Sequence, residues 1–385
     1  MHRSGASLVA VAALLGLAAC TAGPVPTPTA TPIPEPSPPP STLTAPPTPV
    51  PPPVAVQPSG SPRVLATDLV SPWSIAVLPD GGVLVSERDT GRVVEVLADG
   101  STRVAGEVPG VVASGEGGLL GLAYLAGNGT RPDRLYAMHT AEADNRIVRM
   151  TVTGERGSLA LGAPEPILTG IPKASNHDGG RLGFGPDGFL YASTGDAALR
   201  DPAQDPASLA GKILRLTPDG APAPGNPFGN HVWSLGHRNV QGLAWDADGR
   251  LWATEFGQNT WDELNLITRG ANYGWPIVEG VSGDSRFTEP VLQWATSEAS
   301  PSGLAVGGDT LFLAALRGER IWSAAPATQG GPPAATPWFT GEFGRIRDVA
   351  VVGGELWFLS NNTDGRGSPA PGDDRLYAVP LAPAG

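Results

Sequence analysis

The chain has 385 residues, a formal net charge of −12 at pH 7, and a high content of helix-breaking residues, with 52 glycines and 42 prolines. This composition disfavours long helices, and the negative charge together with the lack of a basic run argues against nucleic acid as a partner. Any anionic ligand would therefore need a local cluster of arginines.

The first twenty residues predict an export signal. His2 and Arg3 precede an apolar run from Leu8 to Ala19 that is too short to span a bilayer as a mature helix, and LAAC ends the run at Cys20. The pattern resembles a bacterial lipoprotein signal, which implies a lipidated Cys20, export to the cell envelope and attachment to the outer face of the membrane. An ordinary secretory signal with a chance cysteine is the alternative. Because Cys20 is the only cysteine, intramolecular disulfides are excluded.

Residues 21–61 form a Pro/Thr/Ser tract without a periodic apolar face. Such a composition predicts an extended, disordered linker that separates the anchor from a folded domain at residues 62–385. A recognition segment for a proline-binding module is the alternative. We expect the membrane to be contacted through the lipid anchor only.

Six related units follow from Arg63 onward, each made of apolar strands joined by turns and spaced roughly 45 to 60 residues apart. One unit alone cannot bury both faces of its sheet, whereas a closed ring of six gives every sheet two neighbours. We therefore predict an all-β fold, a six-bladed β-propeller, with Arg63–Val70 adding the outer strand of the last blade. The tryptophans of these strands are expected to pack mainly between blades: Trp73, Trp245, Trp252, Trp322 and Trp357.

Polar residues cluster where these units begin, and in a propeller such positions converge on the central channel. Glu116 lies in GEGGLLGLA and His177 in NHDGGRL, whereas LGHRNVQGL contains His237, Arg238 and Asn239. The fifth unit carries Arg317 in AALRG, and the sixth opens with GRIRDVAV, which contains Arg345 and Arg347.

The motifs EGGLLGLA, NHDGGRL, GHRNVQGL, DELNLI with GANYGWP, and GRIRDVAV resemble, in this order, those of the quinoprotein glucose/sorbosone dehydrogenase family. The resemblance extends from about Leu65 to Val379. It implies an oxidoreductase on a six-bladed propeller that binds pyrroloquinoline quinone (PQQ) and calcium. Such an enzyme oxidises the anomeric hydroxyl of aldose sugars to the lactone and passes electrons to an external acceptor.

The same resemblance assigns the catalytic residues. His177 becomes the general base, because a neutral imidazole can take the hydroxyl proton as the hydride leaves, and the neighbouring Asp178 is expected to orient its ring. Arg238 and Asn239 are expected to contact the reactive carbonyl region of the quinone, where a fixed positive charge stabilises the developing oxygen charge. His237 is predicted to be structural.

Four further residues are assigned to cofactor binding. Arg345 and Arg347 alternate along a strand and so face the same side, where guanidinium groups can pair with the carboxylates of a tricarboxylate quinone. Arg317 would complete this clamp in place of the lysine usual in the family, and Glu116 stands where the best-known glucose-oxidising members have glutamine. As surface-type charges, Arg345 and Arg347 are expected to contribute little to folding.

Calcium is implied by the family rather than by a motif. Glu255, Asp262 and Glu263 offer hard oxygen ligands, but without the spacing of an EF-hand. In the family the ion that bridges to the cofactor is held largely by main-chain carbonyls, which transfers to Gly257 and Gln258. Some relatives have proline where this chain has Gln258, a change that a carbonyl ligand tolerates.

Two other functions stay open from the sequence alone. One is a tethered propeller without quinone that acts as a carbohydrate- or protein-binding module, and the other is a lactonase-like propeller. The combination of a general base with an arginine clamp for a tricarboxylate in one channel favours the dehydrogenase. The choice of sugar is predicted to rest on the loops Ala197–Gln204 and Ser282–Glu289, whereas the preferred sugar, the electron acceptor and the oligomeric state stay open.

Overall fold

The computed structural model describes residues 54–325 and 334–384, together with the isolated Gly23. The predicted signal with Cys20 and most of the predicted linker lie outside the described residues. The described chain forms six antiparallel sheets of four or five strands. Neighbouring sheets touch through their first strands all the way round a closed ring. The predicted six-bladed β-propeller is confirmed.

The strands follow the chain order. Two N-terminal strands come first: β1 (Val56–Pro58) and β2 (Arg63–Ala66). Blade 1 comprises β3 (Pro72–Val77), β4 (Val83–Glu87), β5 (Arg92–Val96) and β6 (Thr102–Glu107). Blade 2 comprises β7 (Leu119–Leu125), β8 (Arg134–Thr140), β9 (Asn145–Thr153), β10 (Ala160–Leu161) and β11 (Glu165–Ile171). Blade 3 comprises β12 (Leu182–Phe184), β13 (Leu190–Thr194), β14 (Lys212–Leu216) and β15 (Val232–Leu235).

The second half of the ring is equally regular. Blade 4 comprises β16 (Val240–Trp245), β17 (Leu251–Glu255), β18 (Trp261–Ile267) and β19 (Leu292–Ala295). Blade 5 comprises β20 (Pro301–Gly307), β21 (Thr310–Ala315), β22 (Arg320–Ala324) and β23 (Ala335–Trp338). Blade 6 comprises β24 (Ile346–Val352), β25 (Glu355–Ser360) and β26 (Leu376–Pro383). One 3₁₀ turn, Asp201–Gln204, is the only helical element of the described chain, and it is too short to cross a membrane.

Blade 6 is completed by the N-terminal strands, which close the ring. The β2 strand pairs antiparallel with β26, with Arg63 opposite Ala378, as the sequence predicted for Arg63–Val70. The β1 strand pairs with the end of β26 as well, with Val56 opposite Pro383. This strand lies inside the stretch assigned to the linker, so the folded region begins before residue 62. Val56 explains the difference, because its side chain packs against the core between blades 5 and 6.

The apolar core of the described chain divides into six clusters, one between each pair of neighbouring blades. Trp252 and Trp322 belong to the cluster between blades 4 and 5, and Trp245 and Trp357 pack against two others. Trp73 differs from the prediction. Its ring lies under the guanidinium of Arg181, 4.4 Å from the ring centroid, among the polar side chains near the channel. Burial between blades, rather than within one sheet, therefore holds the ring together.

Candidate active site

A cavity of about 210 Å³ opens where residues of blades 4, 5 and 6 meet the loop before blade 2. Four of the sequence-predicted cofactor residues line it: Glu116, Arg317, Arg345 and Arg347. The cavity wall also contains residues that the sequence analysis did not single out: Gln241, Phe256, Ser300, Leu316 and Arg366. The fold thus brings together charges that are more than 200 positions apart in the chain.

His177 lies immediately behind this cavity. Its backbone N–H donates to Glu116 Oε2 over 2.9 Å, so the histidine is one hydrogen bond from the cavity wall. The residue adopts a left-handed backbone conformation with φ of 61°, and its carbonyl is packed so closely that a Cβ on Gly195 would lie 1.7 Å from it. The NHDGG turn is therefore a constrained backbone segment that holds one side chain in place.

The partners of the His177 ring define its tautomer. Nε2 accepts hydrogen bonds from Arg238 Nη2 at 2.7 Å and from Asn176 Nδ2 at 3.1 Å, and Nδ1 lies 2.8 Å from Asp196 Oδ1. A guanidinium group can only donate, so Nε2 carries no proton and the neutral ring donates through Nδ1. This is the tautomer in which Nε2 can accept a proton from a substrate.

The carboxylate that orients His177 is Asp196, not the sequence-adjacent Asp178. Asp178 turns away from the ring and accepts hydrogen bonds from Asn145 Nδ2 and the Ala174 backbone. Asp196 is fully buried, and its second oxygen accepts from Trp275 Nε1 at 2.8 Å. Burial acts to raise the pKa of Asp196, but the hydrogen bonds and the neighbouring His177 hold it below its usual value. The sequence signal that could have identified Asp196 is a carboxylate two residues after β13, in STGDA.

Arg238 joins the histidine to the loop assigned to calcium. Its Nη1 donates to the carbonyl oxygens of Phe256 and Gly257, at 3.1 and 2.6 Å. Its backbone N–H donates to Glu255 Oε1. Burial lowers the pKa of Arg238, although nearby carboxylates oppose that effect. One guanidinium group therefore covers both the atom expected to take a proton and a carbonyl expected to bind a metal.

Asn239 stands between the cavity and the NHDGG turn. Its Oδ1 accepts from the backbone N–H of Gly179 at 3.0 Å, and its Nδ2 lies 3.4 Å from Glu116 Oε2. The side chain is fully buried and does not line the cavity. In this structure Asn239 therefore positions the neighbours of the site.

The two strand arginines form a buried ionic cluster with a carboxylate missed by the sequence analysis, Asp364. Arg345 Nη2 lies 3.0 Å and Arg347 Nη2 3.6 Å from its Oδ2. Arg347 also donates to Asn361 and Gln241. Burial acts to raise the pKa of Asp364, but the two guanidinium charges hold it below its usual value. The premise that these arginines are surface-type charges is wrong, because they are 9% and 4% exposed and share a buried counterion, so we expect the loss of either to affect folding.

Arg317 completes the wall from the turn after β21, where its side chain is exposed. Of the two loops predicted to select the sugar, Ala197–Gln204 contacts the site. The Ala198 backbone donates to Asp196, and the Arg200 guanidinium lies 4.9 Å from the centroid of the Trp275 ring. The loop Ser282–Glu289 does not line the arginine cavity and is held by its own Glu289.

The carboxylates near the expected calcium loop are already bound to protein donors. Asp262 accepts from the backbone N–H groups of Gly257 and Ser300, and Glu279 accepts from that of Gln258. Burial raises the pKa of Asp262 to about 6. The described residues contain no group of three or more His, Cys, Asp or Glu placed to hold a metal ion. Side-chain ligation by Glu255, Asp262 and Glu263 is therefore not supported, which leaves the main-chain carbonyls.

Comparisons with known proteins agree with this geometry. A family profile described as Glucose / Sorbosone dehydrogenase matches residues 69–368, which include every residue of the candidate site. The chain is 33% identical over 262 residues to quinoprotein glucose dehydrogenase B of Acinetobacter calcoaceticus, covering 58% of this chain and 54% of the relative, so it spans about half of that protein. It is 33% identical over 293 residues to an aldose sugar dehydrogenase of Escherichia coli (strain K12), covering 67% of this chain and 78% of the relative.

Among solved structures, the PQQ-bound form of aldose sugar dehydrogenase from Streptomyces coelicolor is similar with a TM-score of 0.80 and 50% sequence identity. The match covers 85% of this chain and 98% of that one. Motif order, propeller architecture and the family match over most of the chain all agree with the resemblance drawn from the sequence. The chain belongs to the glucose/sorbosone dehydrogenase family of oxidoreductases.

Proposed function

We propose that this protein is a dehydrogenase that uses PQQ and calcium to oxidise the anomeric hydroxyl of aldose sugars to the lactone, with an external acceptor taking the electrons. The observation that carries the proposal is a carboxylate-bound His177 one hydrogen bond from a cavity walled by four arginines. The relatives named above support it, since by name they are a quinoprotein glucose dehydrogenase and aldose sugar dehydrogenases.

The residues of the cavity fit a tricarboxylate. Arg317, Arg345, Arg347 and Arg366 line it against a single lining carboxylate, Glu116. The Nε of Arg345 is buried without an acceptor in the described part of the chain, and a ligand carboxylate would satisfy it. Arg345, Arg347 and Arg317 would therefore hold the carboxylates of PQQ.

The carbonyl oxygens of Gly257 and Gln258 would hold the calcium ion. Gly257 O already accepts from a positively charged group, Arg238 Nη1 at 2.6 Å, which supports the idea that it can bind a cation. Calcium prefers neutral and anionic oxygen ligands of this kind. A calcium ion at Gly257 would repel the nearby guanidinium of Arg238, which favours a shift of Arg238 away from that oxygen.

The residues of the site divide the work of the reaction. PQQ, when bound, supplies an acceptor for the hydride that leaves the anomeric carbon. His177 Nε2 takes the proton of the anomeric hydroxyl, at the position that Arg238 Nη2 now fills. Asp196 keeps the ring in the correct tautomer and stabilises the imidazolium that forms. With the hydride and the proton removed, the anomeric carbon becomes the carbonyl carbon of the lactone.

Reconstitution of the purified protein tests the proposal. PQQ and calcium are added, binding is followed by the absorption of the quinone, and dye-linked oxidation of a panel of aldoses is measured with identification of the lactone. We expect turnover only with both additions and loss of turnover when a chelator removes calcium. Sugar binding without oxidation in the loaded protein would instead favour a carbohydrate-binding module.

A conservative variant tests the clamp. Because Arg345 and Arg347 share the buried Asp364, replacing both with alanine would leave an unpaired buried charge and confuse unfolding with loss of binding. Arg345→Lys retains the charge but loses the fork geometry. We expect about tenfold weaker PQQ binding with little change in the unfolding midpoint. Unchanged affinity would remove Arg345 from the clamp.

We also propose that the mature protein is anchored through a lipidated Cys20 at the outer face of the membrane. The signal pattern ending in LAAC supports this location. Cys20→Ser should release active protein from the membrane fraction after cell lysis. Recovery of the wild-type protein only in the cytoplasm would contradict the proposal.

A further inference from the structure

The loop between β25 and β26 carries an arginine that the sequence analysis did not single out. Arg366 lies in the tetrapeptide DGRG, and its backbone N–H donates to Asp364 Oδ1 over 2.9 Å. Gly365 precedes it with φ of 82°, a conformation that L residues rarely adopt. The turn therefore fixes the backbone of Arg366 to the same Asp364 that holds Arg345, while its side chain points across the cavity.

Arg366 ends on a carboxylate from the loop that joins blades 1 and 2, one blade away round the ring. Its Nη1 lies 3.1 Å from Glu116 Oε1, an ion pair that joins blade 6 to the loop before blade 2. Both residues line the cavity. The side chain of Arg366 is 47% exposed and that of Glu116 16%, so the pair lies at the mouth of the cavity rather than in its floor.

The two members of the pair are held very differently. Glu116 is anchored through its other oxygen by the backbone N–H of His177. Burial acts to raise the pKa of Glu116, but that bond and the Arg366 charge hold it below the usual value. Among the described residues, the side chain of Arg366 makes a single hydrogen bond, which it donates to Glu116. A half-exposed ion pair contributes little to folding, so Arg366 can exchange its partner at small cost.

The charge of the cavity favours such an exchange. Four arginines face only two carboxylates, Glu116 and the buried Asp364, which leaves two positive charges uncompensated in a chain with a net charge of −12. Like charges confined to one cavity repel unless an anion enters. Arg345 and Arg347 reach the cavity as buried side chains at the start of β24, whereas Arg317 and Arg366 are exposed at its mouth.

We infer that Arg366 is a further ligand-binding residue. Its guanidinium breaks the ion pair with Glu116 and binds a carboxylate of the ligand instead. The inference rests on the proposed function for the identity of that ligand. Two sources share the chemistry: a carboxylate of the quinone, or the carboxylate of an acidic aldose such as a uronic acid. Arg366 lies at the exposed mouth of the cavity, within reach of either kind of carboxylate as it enters.

A two-residue mutant cycle tests the inference. Arg366→Gln, Glu116→Gln and the double variant are titrated with PQQ in the presence of calcium and with citrate in its absence, and binding is measured by absorption and calorimetry. We expect Arg366→Gln to bind the carboxylate ligand that contacts Arg366 about tenfold more weakly, the effect of one charge-assisted hydrogen bond. The double variant should remain as weak as Arg366→Gln, because the arginine itself makes the contact.

Two controls separate the inference from simpler explanations. Arg63→Gln removes an equally positive charge from another half-exposed ion pair, that with Glu355 outside the cavity, and it should leave both affinities unchanged. If the double variant regains wild-type affinity, Arg366 serves only to neutralise Glu116 and the inference is overturned. Unfolding midpoints of all variants should agree, since the substituted pair is partly exposed.

The two carboxylate sources are distinguished by glucose and glucuronate, which differ only in the group on carbon 5. If Arg366→Gln lowers the ratio of kcat/KM for glucuronate over that for glucose by about tenfold and leaves PQQ binding unchanged, the partner is the sugar. If it weakens PQQ and leaves the ratio unchanged, the partner is the quinone. If Arg366→Gln changes neither the kcat/KM ratio nor the binding of PQQ or citrate, the inference is overturned. Binding of citrate but not of PQQ by the wild type would contradict the proposed function while still testing Arg366.

Discussion

The loops that open blades 3 and 4 contain two histidines with nearly the same immediate partner. Nδ1 of His177 lies 2.8 Å from Asp196, and Nδ1 of His237 lies 2.8 Å from Glu255. In both cases the carboxylate comes at the end of the second strand of the blade. A histidine paired with a carboxylate is therefore a repeated structural feature of these blades and does not by itself indicate catalysis.

The second ring nitrogen separates the two. His237 is fully buried, its Nε2 bonds to Ser234 Oγ at 2.8 Å, and its ring stacks on Tyr273 with centroids 4.6 Å apart. His177 is 9% exposed, and its Nε2 faces two amide or guanidinium donors, Arg238 Nη2 and Asn176 Nδ2. A catalytic base must therefore be recognised from the partners of the ring nitrogen that does not contact the carboxylate.

The largest expected effect is on turnover at His177. His177→Gln should lower the rate of aldose oxidation by about two to four orders of magnitude, the usual contribution of a positioned general base. PQQ binding should be nearly unchanged, because the ring does not line the arginine cavity. Steady-state kinetics of the reconstituted protein measure the effect, and turnover within threefold of wild type would remove His177 as the base.

The matching substitution at His237 should act on stability instead. His237→Gln leaves the buried Glu255 without its ring partner, which we expect to cost about 1–3 kcal/mol in the free energy of unfolding. Turnover of the folded protein should fall less than tenfold, through the bond from Arg238 N to Glu255. Urea unfolding checks the first effect. A variant as stable as wild type but inactive would erase the distinction between the two histidines.

Asp196 sharpens the comparison because it acts through His177. Asp196→Asn should lower kcat by about ten- to hundredfold, the range seen when a carboxylate that orients a metal-binding histidine is lost. The limb of the pH–rate profile on which the rate rises with pH should move along the pH axis as well, which a purely structural change would not cause. Asp178→Asn is the matched control, since Asp178 does not contact the ring, and its kcat should stay near that of wild type.

The smallest expected effect is on stability in acid. The pKa of Asp196 is lower in the folded protein than in the unfolded chain, so its stabilising contribution is present above the unfolded pKa and is lost as pH falls through the folded pKa. Below a pH of about 4, Asp196→Asn should therefore lose less of its unfolding free energy than wild type does. Denaturant unfolding at pH 5 and pH 3 measures the free energy of unfolding at each pH. An equal loss of that free energy in the two proteins would contradict the prediction.

The sequence alone determined the architecture. Turn residues repeated between apolar strands predict blades, because a unit with two apolar faces must pack against neighbours on both sides. The same local logic placed Arg345 and Arg347 on one side of a strand, and it identified Glu116, His177 and Arg317 as loop residues near the channel. Alternation and turn chemistry are properties of a few adjacent residues, so they can be read directly from the chain.

Only the tertiary structure decided which side chains meet. Asp178 is next to His177 in the chain but faces Asn145, whereas Asp196, nineteen positions away, reaches the ring. Asp364 and Arg366 come from a loop without a periodic pattern, yet they hold the strand arginines and cross the cavity to Glu116. Ring closure sets these contacts, because it brings together loops that are far apart in sequence, and no local pattern records the distances between them.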